Sequence, residues 1–349
     1  MKPVYSFSKS ILHWYDRNKR DLPWRQTKDP YKIWISEVML QQTTVNAVIP
    51  YYNKWVEKFP TVYDVAKAKP QAILKSWQGL GYYSRARNLH KSAQIIVLEW
   101  DGQIPRTPDD LRGLPGFGPY TIGAVLSIAF DLPEPIVDAN VRRVIMRQLN
   151  MTGVADAKKD TLIYAHLENL LPKKRSGDFN QALMELGALI CKSNGPVCNQ
   201  CPVYKSCKAY KNGVQELIPE KQSKQLRKLN VAIGVIQYNN KYLIQKRSSK
   251  GLLADLWEFP GGKLEPGETP RQALIREIRE EVGVEINNIT HVMDTDHFYT
   301  TNQVKLHVFT CQSNGKSRMR THQKWVSKRA LLNYPMPSGS AKIVEKILS

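Results

Sequence analysis

The chain is poor in the features that mark secreted or membrane-embedded proteins. It has five cysteines in 349 residues, too few for the disulfide framework of a secreted scaffold. No run of 18 apolar residues occurs, which excludes an ordinary membrane-spanning helix. The first residues, MKPVYSFSKS, contain no apolar signal core, so a cytoplasmic protein is expected. Acidic residues are also scarce: 31 Asp and Glu stand against 51 Lys and Arg, a formal net charge of +20. That imbalance favours a polyanionic partner, nucleic acid ahead of an anionic membrane. The length allows a sizeable core and suggests two domains.

The residues that are present concentrate in a few stretches. Leu114-Pro115-Gly116-Phe117-Gly118-Pro119 reads as a tight turn in which Gly116 and Gly118 take positive φ and expose backbone N–H groups. Pro119 suits the first turn of the helix that follows. A glycine turn feeding a helix N-terminus forms a small anion cradle suited to phosphate. Asp138 precedes another helical run and, standing alone, reads as its N-cap. Glu37 stands in the helical run 33–40 among Trp34, Ile35, Val38 and Met39, with no Lys or Arg between Ile33 and Pro50. By spacing alone it is a solvated surface charge; held among those apolar neighbours instead, it would have the raised pKa of a general acid.

Four cysteines, Cys191, Cys198, Cys201 and Cys207, fall within seventeen residues as C-x6-C-x2-C-x5-C. The spacing suits zinc or an iron–sulfur cluster. Cys311 is solitary in an alternating apolar run and reads as a buried strand residue. From 213 to 228 the composition turns polar and Lys-rich, as an interdomain linker does. Beyond it, two alternating runs around Asn239-Asn240 read as a β-hairpin. Residues 262–284 read G-x5-E-x7-R-E-I-x-E-E-x-G-V, which places Glu277, Glu280 and Glu281 on one helix face. Three crowded carboxylates repel unless a cation neutralises them, and oxygen ligation suits Mg²⁺.

The glycine turn followed by V-D-x-N-V-x-R resembles the endonuclease III superfamily of helix-hairpin-helix glycosylases. With LPWR at 22–25, WISEVMLQQT at 34–43 and GLGYYSRARNLH at 79–90, the order of motifs over the first 210 residues resembles the MutY-type adenine DNA glycosylases. The resemblance implies a multi-domain protein: an all-α helix-hairpin-helix glycosylase domain with an iron–sulfur loop at 1–212, a linker at 213–228, and an α/β Nudix-like domain at 229–349. It implies that Glu37 protonates adenine and later activates water, and that Asp138 stabilises or covalently traps the cationic sugar, supported by Tyr120 and Asn140. Arg25 and Gln181 would contact the adenine. Gln42 and Tyr82, or the adjacent Tyr83, would enter the duplex, and Gly116 and Gly118 would lie on its backbone. The four cysteines would hold a 4Fe–4S cluster. In strand-cutting relatives a Lys occupies the place of Tyr120 and attacks the sugar as an amine. A phenol forms no Schiff base, so a monofunctional glycosylase is expected.

The run WEFPGGKLEPGETPRQALIREIREEVGV resembles the Nudix box of MutT-type hydrolases, intact here although in MutY-type proteins it has as a rule decayed. Two departures oppose a live hydrolase or a strict reader of 8-oxoguanine. Arg318-Met319-Arg320-Thr321 stands where Nudix enzymes often carry an acid, and Tyr299-Thr300-Thr301 replaces the usual Phe-Ser-His. The expected partner is duplex DNA with A:8-oxoguanine or A:G mispairs, bound by a monomer associated with the bacterial nucleoid. The alternatives are a Nudix domain that also hydrolyses nucleoside triphosphates, and a non-catalytic mismatch-binding protein. An endonuclease III-like thymine-lesion enzyme is disfavoured by Tyr120.

Overall fold

A computed structural model describes residues 3–221, 226–251, 253–298, 302–315 and 320–348. The helices of the first two-thirds are α1 (Pro3–Asn18), α2 (Pro30–Leu40), α3 (Val45–Lys58), α4 (Val62–Lys67), α5 (Pro70–Ser76), α6 (Ser84–Glu99), α7 (Pro108–Arg112), α8 (Pro119–Phe130), α9 (Ala139–Leu149), α10 (Ala157–Leu170), α11 (Ser176–Leu189) and α12 (Lys208–Lys211). A 3-10 turn covers Pro23–Arg25. The chain divides into two compact units. One holds residues 1–67 and 88–222; the other holds 68–87 and 223–349. Residues 68–87 therefore cluster with the C-terminal part, which the reading of 1–212 as one domain does not foresee.

In the helical unit, α2 and α8 are apolar nearly all round, as buried helices are. Their buried runs are Ile33–Met39 and Thr121–Ile128. Ile33 of α2 meets Ala124 and Ile128 of α8 in one small core. The ring of Trp34 lies 5.1 Å from that of Phe117 in the α7–α8 turn. A larger core joins Phe7, Ile11 and Tyr15 of α1 to Val141, Ile145, Phe179 and Leu186. The segment expected to be linker begins by packing: Ile218 is 1 % exposed and belongs to this core. Among the described residues no helix is long and apolar enough to cross a membrane.

The second unit is a mixed sheet built from β1 (Arg227–Tyr238), β2 (Lys241–Lys246), β3 (Trp257–Glu258), β4 (Gly261–Lys263), β5 (Ile286–Phe298), β6 (Asn302–Ser313) and β7 (Gln323–Ser327), with helices α13 (Pro270–Glu281) and α14 (Ser338–Leu348). The strand order is β3-β2-β1-β6-β5, with β4 on β1 and β7 on β2. β1 and β6 run parallel, Arg227 opposite Asn302 through Gln237 opposite Gln312. Side chains alternate between faces: Ala232, Ile236 and Leu243 face α13, whereas Ile233, Val235 and Ile244 face α14. Asn239 and Asn240 take positive φ in the β1–β2 turn, as a two-residue hairpin requires. Cys311 is buried in β6.

Candidate active site

A cleft of about 760 Å³ opens in the helical unit, and its walls include Glu37, Tyr120, Asp138, Asn140, Arg25 and Gln181. They reach it from five elements, Asp138 and Asn140 both from the start of α9. Glu37 lies near the C-terminal end of α2 and is 3 % exposed. Tyr120, in the first turn of α8, donates a hydrogen bond to Glu37 Oε2. Burial is the main force on this carboxyl and pushes its pKa up to about 7, Tyr120 opposing and the Asp138 charge reinforcing. The solvated-surface reading of Glu37 is thus excluded. Burial also drives the Tyr120 phenol far up, so it stays a donor.

Asp138 is both an N-cap and a wall of the cleft. Its Oδ1 accepts from the Val141 N–H at 2.7 Å, and its Oδ2 accepts from Asn140 Nδ2 at 2.9 Å. Burial raises its pKa, and those two donors pull the other way. Asn140 is held in turn: its Oδ1 accepts from Arg143 Nη2 at 2.9 Å. The same guanidinium donates to the carbonyls of Gly187 and Cys191, each at 2.7 Å. This close approach of α11 to the start of α9 requires glycine, because a Cβ on Gly187 would lie 2.5 Å from Asn140 Cβ.

Arg25 and Gln181 meet directly, Arg25 Nε donating to Gln181 Oε1 at 3.3 Å. Sequence reasoning missed the group that fixes them. Glu185, one turn beyond Gln181 on α11 and 1 % exposed, pairs with Arg20 at 2.8 Å and with Arg25 at 2.9 Å. Burial pushes its carboxyl up, but the two arginines outweigh that and hold it down at about 2. Its i+4 spacing from Gln181 was the only local signal. Arg143 closes the V-D-x-N-V-x-R motif in the sequence, but no role was assigned to it there.

Gln42 follows α2 with φ +55° and an exposed side chain. Such a conformation in a non-glycine residue is uncommon and recurs at functional sites. Tyr82, in the other unit, has φ +46° and is 42 % exposed, whereas Tyr83 is buried and donates to the Met336 carbonyl at 3.2 Å. Only Tyr82 of the pair offers an exposed ring. The hairpin turn needs one correction. Gly116 has φ +85°, but Gly118 is an extended N-cap at φ −86°. Gly118 is not there for a left-handed backbone. A Cβ on it would meet nothing within 4 Å, so the space before the α8 N-terminus is open.

Cys191, Cys198, Cys201 and Cys207 line one small cavity of about 30 Å³, and none is in a disulfide. Arg147 Nη1 donates to Cys191 Sγ at 3.3 Å, and Cys207 Sγ meets the Arg147 carbonyl at 3.4 Å. Burial pushes the Cys201 thiol up to about 12, with the other three thiols adding to it. Four sulfurs around one void, three of them (Cys198, Cys201 and Cys207) made harder to ionise by burial and then by neighbouring thiols, suit a cationic group that reverses that order. Among the described residues no three His, Cys, Asp or Glu side chains close into metal-ligating geometry.

The acidic face of α13 differs from the sequence expectation. Arg276 pairs with Glu277 at 3.0 Å and reaches Glu280 at 3.4 Å. Glu281 Oε2 turns away to accept from Gln245 Nε2 at 2.8 Å and the Gly261 N–H at 3.4 Å. The three carboxylates do not converge. Arg276 also pairs with Glu268 at 2.8 Å. Tyr299, Thr300 and Thr301 lie outside the described residues, as do Arg318 and Met319.

A buried acid and a second carboxylate thus line one cleft of the helical unit. Residues 35–173 match the family of HhH-GPD superfamily base excision DNA repair proteins, and residues 231–346 match the NUDIX domain family. A solved thermostable thymine-DNA glycosylase is 32 % identical, with a TM-score of 0.55 over 60 % of this chain and 97 % of that one. Endonuclease III solved with DNA shares the fold at 24 % identity and a TM-score of 0.52. The protein is a DNA N-glycosylase of the helix-hairpin-helix class with a Nudix-like C-terminal domain.

Relatives along the whole chain narrow this further. The adenine DNA glycosylase of Rattus norvegicus is 32 % identical over 97 % of this chain and 77 % of its own length. That of Buchnera aphidicola (subsp. Schizaphis graminum) is 40 % identical over 74 % and 75 %. The human one is 34 % identical over 91 % and 69 %. The chain belongs to the adenine DNA glycosylase family.

Proposed function

We propose that the enzyme removes adenine standing opposite 8-oxoguanine or guanine in duplex DNA, and leaves the strand uncut. The supporting observation is the Glu37 carboxyl, buried, hydrogen-bonded to Tyr120 and raised to about 7, in a cleft it shares with Asp138. Breaking an N-glycosidic bond develops a cationic sugar, so one group must protonate the departing base and another must face the cation. Glu37 is the acid and then the base that activates water. Asp138, oriented by Asn140, faces or covalently traps the sugar. Arg25 and Gln181 read the extruded adenine. Extrusion costs a few kcal/mol, offset by Gln42 and Tyr82 entering the duplex. Gly116 and Gly118 let a backbone phosphate approach. Tyr120, being a phenol, makes no Schiff base, which favours a monofunctional enzyme.

The four cysteines hold a 4Fe–4S cluster in this reading. The C-terminal domain, taken as 229–349 after a linker at 213–228, reads the opposite base through the turn carrying Tyr299 and Thr300. Hydrolysis there is disfavoured, since Mg²⁺ at Glu277, Glu280 and Glu281 would have to displace Arg276. The protein acts as a monomer on the nucleoid DNA of the bacterial cytoplasm. Incubation with A:8-oxoguanine, A:G and A:T duplexes, followed by alkaline cleavage, tests the reading. Cleavage confined to the mispairs and lost in Glu37→Gln is expected. Equal cleavage of A:T, or strand scission without alkali, would refute it.

A further inference from the structure

Glu185 is a buried charge that the base-release chemistry above does not use. One carboxylate there holds two cations. Oε1 accepts from the Arg20 backbone N–H at 2.9 Å and from Arg20 Nε at 2.8 Å. Oε2 accepts from Arg20 Nη2 at 2.8 Å and from Arg25 Nη2 at 2.9 Å. Arg25 is thereby pinned on three sides, by Glu185, by the Arg20 carbonyl at 3.0 Å and by Gln181 at 3.3 Å. Its side chain is only 11 % exposed.

A fixed cation in this cleft is a hazard to a general acid. The charged and titratable groups that act on Glu37 are Tyr120 from α8, Asp138 from the start of α9 and Arg25 from the 3-10 turn. Tyr120 and Arg25 favour the ionised carboxylate, and Asp138 opposes it. An Arg25 without its counterion would pull as an opposite charge on Glu37, whose burial strengthens such attraction. It would also be free to swing from Gln181 toward the acid and pair with it.

We propose that Glu185 is a positioning residue for base release: it clamps Arg25 against Gln181 and cancels its charge, so that the acid at Glu37 keeps its proton. The same clamp sets Arg25 where it can read the adenine, so one buried carboxylate serves both recognition and protonation. This inference rests on the reading of Glu37 as the acid.

The test is single-turnover adenine release by the full chain from an A:8-oxoguanine duplex, followed from about pH 5.5 to about pH 9. In Glu185→Gln the alkaline limb moves down by about one pH unit, so release falls roughly tenfold at pH 8 and changes little at pH 6. Glu185→Asp, which keeps the charge, retains the limb. Adding Arg25→Met to Glu185→Gln returns it toward the wild-type position. A loss by one constant factor at every pH, with the midpoint unmoved, would mean a merely structural role and would overturn the proposal. If Glu185→Gln does not fold by near-ultraviolet circular dichroism, Arg25→Gln alone decides. With the Arg25 charge already cancelled by Glu185, it leaves the limb within about half a pH unit of wild type, and a rise of about one unit or more overturns the proposal. Failure of the underlying reading looks different: Glu37→Gln would then release adenine with the limb intact, whatever residue 185 is.

Discussion

Replacing Gly187 by alanine tests how the sugar-facing carboxylate is held. A Cβ at this position would stand 2.5 Å from Asn140 Cβ, 3.0 Å from its Cα and 3.1 Å from its carbonyl carbon. Carbon atoms rest about 3.5–4.0 Å apart, so the start of α9 must retreat from α11 by roughly 1 Å. Two of the three neighbours are backbone, which cannot swing aside. Asn140 carries the hydrogen bond to Asp138 at 2.9 Å, so the retreat drags the carboxylate with it. Overpacking costs about 1–3 kcal/mol, while alanine regains about 1 kcal/mol of helix propensity over glycine. The net loss of stability is about 0–2 kcal/mol, small enough for the chain to stay folded. Misplacing a reacting group by about 1 Å costs on the order of 10²-fold in rate. Gly187→Ala is therefore expected to melt within a few degrees of wild type and to release adenine about a hundredfold more slowly in single turnover. A variant with the wild-type rate, or one more stable than wild type, would refute the reasoning.

Three further outcomes are expected. Tyr120→Phe removes a donor that favours ionised Glu37. The acid form, present below a folded pKa of about 7, then persists higher, and the alkaline limb of release rises by about 0.5–1 unit; a fall would contradict it. Glu185→Gln leaves Arg20 and Arg25 without a counterion, at a cost of about 3 kcal/mol in urea unfolding at neutral pH. The native carboxyl titrates near 2, below its unfolded value. Its contribution is therefore present above the unfolded pKa and lost as pH falls through the folded one, so the gap between variant and wild type should close toward about pH 2. Cys201→Ser should abolish iron-dependent absorption near 400 nm, about where iron–thiolate transitions fall; a colourless wild-type protein carrying zinc would refute the cluster.

Locally encoded features were legible before any coordinates. The cysteine spacing, the hairpin at Asn239-Asn240, the N-cap at Asp138 and the apolar setting of Glu37 each depend on residues within a turn or two. Gly118 shows the limit even there, because a glycine in a turn does not reveal which φ it takes. On α13 the pattern of three glutamates was visible, but not that Arg276 would pair with two of them while Glu281 turns to Gln245.

By itself the sequence determined the inventory: a basic, helix-rich chain with a glycine turn, two separated carboxylates, four clustered thiols and an acidic helix in a sheet domain. Caps, turns and periodicities act over three or four residues, so the local order of side chains states them. Only the tertiary structure decided that Tyr120 meets Glu37 across 83 residues and that Glu185 meets Arg20 across 165. It also decided that Gly187 lets α11 come within reach of Asn140. Proton affinity in a cleft follows from what surrounds a group after packing. Desolvation and opposing charge come from chain segments that linear order keeps apart.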